Sequence, residues 1–177
     1  MSHISDRTRR LVLLRHAKAE PAGEGAGDEV RPLALVGRRQ AGRVGAALFA
    51  SELVPEVALV SPAVRTRQTW ELLRAAFGDA EPEVVVEDRL YSGGVDDVVA
   101  LVREVDARVR TVLVVGHEPT VSAAAAALAG PDSDTGATIR VRGGVPTATY
   151  AVVELDGHWD TLTPGSARLR TVVSPQE

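Results

Sequence analysis

The sequence predicts an α/β protein, a three-layer α/β/α sandwich around a mostly parallel sheet. Three observations predict it. Between Leu11 and Gly130, short apolar runs of strand length alternate four times with stretches whose apolar residues recur at helical spacing. Such alternation gives a parallel sheet covered on both faces, with right-handed crossovers. Beyond Pro131 the pattern changes, and two strand-like stretches flank Asp156-Gly157. An Asp-Gly pair in that setting is a hairpin signal, so antiparallel strands are expected at the C-terminal end.

Taken in order, Met1 to Arg10 is polar and reads as a flexible tail, with His3 a solvated residue within it. Leu11 to Leu14 is the first strand and runs directly into Arg15 and His16. Ala22 to Glu29 is rich in Gly and acidic residues and reads as a mobile loop, since its glycine spacing does not fit a nucleotide-binding turn. From about Gly37, Ala41, Val44, Leu48 and Phe49 mark the first helix, packed on the sheet. Val57 to Val60, between Pro55 and Pro62, is the second strand. Ser61-Pro62 is a helix-start signal, with Ser61 as cap. The second helix then carries Arg65, Arg67, Trp70, Leu73 and Phe77 to a stop at Gly78. Arg67 cannot share a helical face with Arg65 and is assigned to the surface.

Val84 to Val86 is the third strand, followed by the irregular stretch EDRLYSGG. Val95, Val98, Val99, Val102 and Val105 define a third, amphipathic helix. Thr111 to Val115 is the fourth strand, delivering Gly116-His117-Glu118-Pro119, and a fourth helix ends near Gly130. PDSDTGATIRVRGG is polar and turn-rich, and TATYAVVEL and HWDTL are the hairpin strands, with His158 a surface strand residue. The chain is expected to form one domain over residues 1–177, with 1–10 as the tail.

Composition excludes several functions. Aromatic residues are 3% of the chain, too few for the stacking platforms of single-stranded nucleic acid binders. A formal charge of −4 argues against a general polyanion binder, so no nucleic acid partner is expected. Absence of cysteine removes disulfides, thiolate nucleophiles and Cys-ligated zinc. No apolar stretch is long enough to span a membrane, and the N-terminal residues lack the apolar core of a signal peptide. A cytoplasmic protein with no membrane partner is expected. No metal cluster and no cofactor motif is evident.

The residues that carry chemistry sit at strand ends. In open α/β sheets the ligand crevice lies beyond the carboxyl ends of the strands. The first strand brings Arg15 and His16 there, the second Ser61 with Arg65 one turn on, and the fourth His117. Two guanidinium groups and two imidazoles suit a phosphoryl group: the arginines fork onto its oxygens and the histidines supply a nucleophile and a donor.

RHA after the first strand, SPAVRTRQT after the second and GHEP after the fourth make the chain similar to the histidine phosphatase superfamily. Its length, RHAKAE and RPLALVGRRQA make it resemble the small SixA-type phosphohistidine phosphatases most. That resemblance implies a phosphoglycerate mutase-like fold and a metal-independent phosphohydrolase. His16 would be the nucleophile that takes the phosphoryl group, and Arg15, Arg65 and a protonated His117 would stabilise its oxygens. Cations nearby would keep His16 neutral, and a backbone carbonyl on its other nitrogen would fix the tautomer.

Arg31 is a candidate for the substrate rim by similarity, weighed against a solvated arginine before a turn proline. Glu87 or Asp88 is available as a general acid, although the surroundings match the mutase-like pattern poorly. That weak acid signal favours N–P over O–P substrates, because a protonated imidazole leaves readily. The expected partner is a phosphorylated protein or a small phosphorylated substrate, with phosphohistidine in a protein first. A small-molecule phosphomonoesterase and a catalytically silent phosphate-binding module are the competing readings, and the oligomeric state is left open.

Overall fold

The apolar runs pair into one sheet. In the computed structural model, which describes residues 7–175, the strands are β1 (Thr8–Arg15), β2 (Val57–Val60), β3 (Glu83–Val86), β4 (Thr111–Gly116), β5 (Tyr150–Asp156) and β6 (Arg168–Val173). Their order is β3-β2-β4-β1-β5-β6. β1 with β4, β4 with β2 and β2 with β3 are parallel; β5 lies antiparallel to β1, and β6 to β5.

Alternate side chains of the central strands enter two cores. Leu11 and Leu13, Val57 and Leu59, and Val112 and Val114 face α4 (Val95–Arg103), α5 (Thr120–Leu128) and α6 (Thr135–Arg142). Val12 and Leu14, Ala58 and Val60, and Leu113 and Val115 face α1 (Leu35–Ala50) and α2 (Val64–Leu73). Burial on both faces explains why these strands are apolar throughout rather than alternating. The result is the three-layer sandwich, with antiparallel strands added at the C-terminal end. Among the described residues no helix is long and apolar enough to cross a membrane.

Five local expectations are corrected. Residues 8–10 are not a tail: β1 begins at Thr8, paired with β5, and Arg9 is buried with its guanidinium donating to the carbonyls of Ala107 and Gly157. A strand edge that satisfies a guanidinium with carbonyls does not look apolar in sequence. His3 lies outside the described residues. Phe49 is 56% exposed rather than packed, because α1 turns Gly37, Ala41, Val44, Gly45 and Leu48 inward and leaves Phe49 beside that stripe.

The stretch read as turn-rich holds α6. Its start is fixed by the Asp134 carboxylate, which accepts from the Ala137 amide at 2.8 Å, while only Ala137 and Val141 are buried in it. So sparse an apolar stripe gives little periodicity. Asp156-Gly157 does not close a two-residue hairpin either. Trp159 is drawn into the core, its indole nitrogen donating to the Val109 carbonyl at 2.9 Å, so residues 159–161 form a 3-10 turn. β5 pairs instead with β6, after residues 157–167. His158 is exposed, but at the start of that turn and not in a strand.

Close packing of α1 on α2 depends on Gly45, where a Cβ would overlap the Leu73 carbonyl, whereas a Cβ at exposed Gly42 meets nothing within 4 Å. Gly45→Ala should therefore lose about 1–3 kcal/mol of stability as an overpacked contact. Gly42→Ala should gain roughly 0.5–1 kcal/mol from helix propensity. Chemical denaturation of the two variants checks the opposite signs.

Candidate active site

Strand register brings the chemistry-bearing segments to one level. Leu14 and Val60 both lie opposite Val115, the His16 amide donates to the Gly116 carbonyl at 3.0 Å, and the Ser61 amide donates to Val115 at 3.1 Å. Beyond these ends lies a cavity of about 320 Å³ lined by Arg15, His16, Arg31, Arg65, His117 and Glu118, among others. The structure thus brings Arg15, His16, Arg65 and His117 together.

His16 is buried, 8% exposed. Its Nδ1 lies 2.7 Å from the Ala17 carbonyl, which only accepts, so Nδ1 carries the proton. Nε2 then holds a lone pair, and it receives the Arg65 Nε–H at 3.3 Å. Thr69 braces this arrangement: its hydroxyl accepts from the Ala17 amide at 3.1 Å and donates to the Arg65 carbonyl at 2.7 Å. Burial, opposed by the Ala17 carbonyl but aided by Arg65, Arg15 and Arg31, pushes the His16 imidazole down to about 4 from an ordinary 6.5.

His117 has the other tautomer. Its Nδ1 faces Arg65 Nη2 at 3.3 Å, and a guanidinium only donates, so Nε2 carries the hydrogen and donates it to the Ser61 hydroxyl at 2.7 Å. Burial first, then Arg65 and His16, push it also down to about 4. The ring expected to be protonated is therefore neutral near pH 7 in this arrangement. The two imidazole centroids are 5.4 Å apart.

Arg65 is 6% exposed; its Nη1 donates to the Asp28 carbonyl at 2.8 Å and its Nη2 to Asp28 Oδ2 at 2.9 Å. Arg15 donates from Nη1 to the Val145 carbonyl at 2.8 Å, while its buried Nε has no hydrogen-bond partner among the described residues. Arg31 lines the cavity and is held by the Glu20 carbonyl at 2.9 Å and by Asp28 Oδ1 at 3.0 Å. Ser61 does not cap α2, whose first turn follows Ala63 without a side-chain cap; its hydroxyl is turned to His117. Arg67 is exposed.

Glu87 and Asp88 do not line this cavity. Glu87 continues the alternation of β3 and lines a separate hollow with Leu59 and Val85, near Arg89. Asp88 is exposed at the start of α3 (Arg89–Ser92). The residue of that segment that does approach is Tyr91, edge-on to His117 at 5.5 Å, with its hydroxyl donating to Asp28 Oδ2 at 2.8 Å.

Sequence reasoning passed over Asp28, Tyr91 and Glu118. Asp28 lay in a stretch dismissed as loop, although three residues before an arginine it was placed to pair with one. The Tyr91 hydroxyl, with Arg31 and Arg65, holds the Asp28 carboxyl well below the usual carboxylate range. Glu118 accepts from the Ser122 amide at 2.8 Å, the Ser122 hydroxyl at 2.7 Å and the Val145 amide at 3.1 Å, so it fixes the segment whose carbonyl holds Arg15.

Comparison with known proteins places this geometry. The family model for the histidine phosphatase superfamily (branch 1) matches residues 11–92. An uncharacterized protein of Mycobacterium tuberculosis is 39% identical over 157 residues, covering 88% of this chain and 96% of that one. The solved structure of SixA from Nakamurella multipartitia has a TM-score of 0.84 and 36% identity, covering 96% of this chain and 98% of its own. A structure of the protein histidine phosphatase SixA complexed with tungstate has a TM-score of 0.76 and 26% identity, covering 94% and 97%. The chain belongs to the histidine phosphatase superfamily. It is a phosphatase, with the phosphoglycerate mutase-like fold of that family.

Nitrogen-resolved NMR of the imidazoles in the ligand-free protein should find His16 as the Nδ1–H tautomer and His117 as the Nε2–H tautomer, both titrating near 4. Titration of either at an ordinary 6.5 contradicts the geometry. Because the unfolded chain takes up protons that the folded rings refuse, these groups should make stability fall as pH drops from about 6.5 to 4.

Proposed function

We propose that this phosphatase removes the phosphoryl group from phosphohistidine in a protein, through a phosphohistidine intermediate on His16. The observation that carries the reading is the Nε2 lone pair of a neutral His16, touched among the described residues by a guanidinium donor that a phosphoryl oxygen can take over.

In the first step Nε2 of His16 attacks phosphorus in line and the substrate's P–N bond breaks. The substrate ring reacts in the form that has taken a proton from solvent on its other nitrogen, so the departing imidazole keeps that bond's electron pair and leaves neutral. His16 now carries phosphorus on Nε2 and hydrogen on Nδ1, its ring positive and held by the Ala17 carbonyl. Water then attacks phosphorus, the P–Nε2 bond breaks, and both hydrogens of the water leave with the product as dihydrogen phosphate. No side chain of the site has to supply a proton at either step. Arg15, Arg65 and His117 stabilise the transferring oxygens, and a phosphoryl dianion beside His117 favours its protonation. Arg31 lies on the same cavity and is assigned to the substrate's rim.

That balance supports an N–P substrate. An alkoxide leaving group needs an acid, but Glu87 and Asp88 lie outside the cavity, Asp28 is held ionised, and the Glu118 carboxylate is taken up as acceptor by Ser122 and the Val145 amide. Likeness to the SixA structures supports the same substrate class.

The test is a rapid quench after exposure to a labelled phosphohistidine protein, beside rates on phosphoserine and p-nitrophenyl phosphate. Acid-labile, base-stable label is expected on the wild type and absent from His16→Ala, and Arg65→Ala should slow turnover about a hundredfold or more. Label persisting in His16→Ala, or faster turnover of phosphoserine than of phosphohistidine, would overturn the reading. The acid limb of kcat/KM should fall near the depressed His16 value of about 4, not near 6.5.

A further inference from the structure

Arg65 can meet a phosphoryl group along either of two edges of its guanidinium plane. The end-on edge pairs Nη1 with Nη2, and the side-on edge pairs Nε with the remaining hydrogen of Nη2. One residue closes the first edge: the Asp28 carbonyl takes Nη1 at 2.8 Å and Asp28 Oδ2 takes Nη2 at 2.9 Å. The second edge is left facing the imidazoles, Nε to His16 Nε2 and Nη2 to His117 Nδ1, each at 3.3 Å.

We propose that Asp28 is a positioning residue for phosphoryl transfer, fixing the guanidinium of Arg65 end-on so that its side-on fork is presented between His16 and His117. This rests on the reading of Arg65 as a phosphoryl-binding group. Asp28 can hold that orientation because it is itself held. Oδ2 also accepts from the Tyr91 hydroxyl at 2.8 Å, and Oδ1 accepts from Arg31 Nη1 at 3.0 Å. Four segments are thereby tied to one carboxylate: the loop before α1, the Arg31 turn, α2 and α3.

The chemistry requires a carboxylate. An asparagine at this position has one acceptor oxygen to serve three donors, and it turns an N–H toward one of them. The side chain of Arg65 is 7% exposed, so an unmet edge there finds little water to replace the lost acceptor. Asp28 is 49% exposed and its replacement opens no cavity in either core. The substitution is felt at the fork and not in the packing.

The test is a double-mutant cycle with steady-state kinetics and orthophosphate inhibition, using Asp28→Asn, Asp28→Glu, Arg65→Lys and the double variant Asp28→Asn with Arg65→Lys. Asp28→Asn should lower kcat by about ten- to a hundredfold, as expected for a misplaced group, with KM changed far less and orthophosphate inhibition weakened. Asp28→Glu should recover part of kcat. In the Arg65→Lys background, Asp28→Asn should cost less than about twofold further, because the group it positions is gone. Full activity in Asp28→Asn overturns the proposal, and so does an equal fractional loss in both backgrounds, which would mean that Asp28 acts without Arg65. A gain in activity overturns it too, marking Asp28 as a competitor of the phosphoryl group. Full activity in Arg65→Lys overturns the reading of Arg65 first and the proposal with it.

Discussion

Backbone hydrogen bonds between β1, β4 and β2 set residues separated by a hundred positions along the chain at one height in space. Arg15 lies opposite Gly116 and Val60 opposite Val115, so the next residues of each strand emerge together. A slip of one residue in either pairing would turn a whole strand's side chains to the other face and carry its terminal residues out of line. The register is held by burial on both sides. Leu11, Leu13, Val12 and Leu14 have essentially no exposure and divide between the two cores. The site depends on that packing before it depends on any side chain of its own.

Within the pocket, one guanidinium serves as the common reference. Arg65 touches His16, His117 and Asp28, and it helps to keep both rings unprotonated while leaving their tautomers opposite. The tautomers follow from which partners can only donate and which only accept. On the proposed reading, a neutral Nε2 beside cations is a nucleophile whose charge partners are already in place for the phosphoryl oxygens. Preorganisation of this sort keeps the donors fixed between the free site and the transferring group.

The alternation of strands and helices, the covering of both sheet faces and the meeting of Arg15, His16, Arg65 and His117 in one cavity were legible because each rests on a strong local signal. Apolar runs ending in Arg15-His16 and in Gly116-His117 say both where a strand stops and what it presents. Less legible were elements whose stability comes from single polar contacts. Residues 8–10 are fixed by the Arg9 guanidinium on two distant carbonyls, α6 by the Asp134 cap, and the path after Gly157 by one buried indole. Asp28 and Tyr91 were hidden for the same reason, since the partners that give them meaning lie 37 and 63 positions from Asp28. Glu87 and Asp88 illustrate the converse. They had the right chemistry in the right stretch, but strand alternation and a single helical turn face them elsewhere.

The central claim is that a tetrahedral anion is bound between the His16 and His117 imidazoles and meets the Nε2 of His16. A crystal structure with vanadate tests it most directly. Vanadium bonded to His16 Nε2, with its oxygens contacted by Arg15, the Nε and Nη2 of Arg65, and His117, is the predicted result. Vanadate bound away from His16, or bonded to His117 in its place, would contradict it.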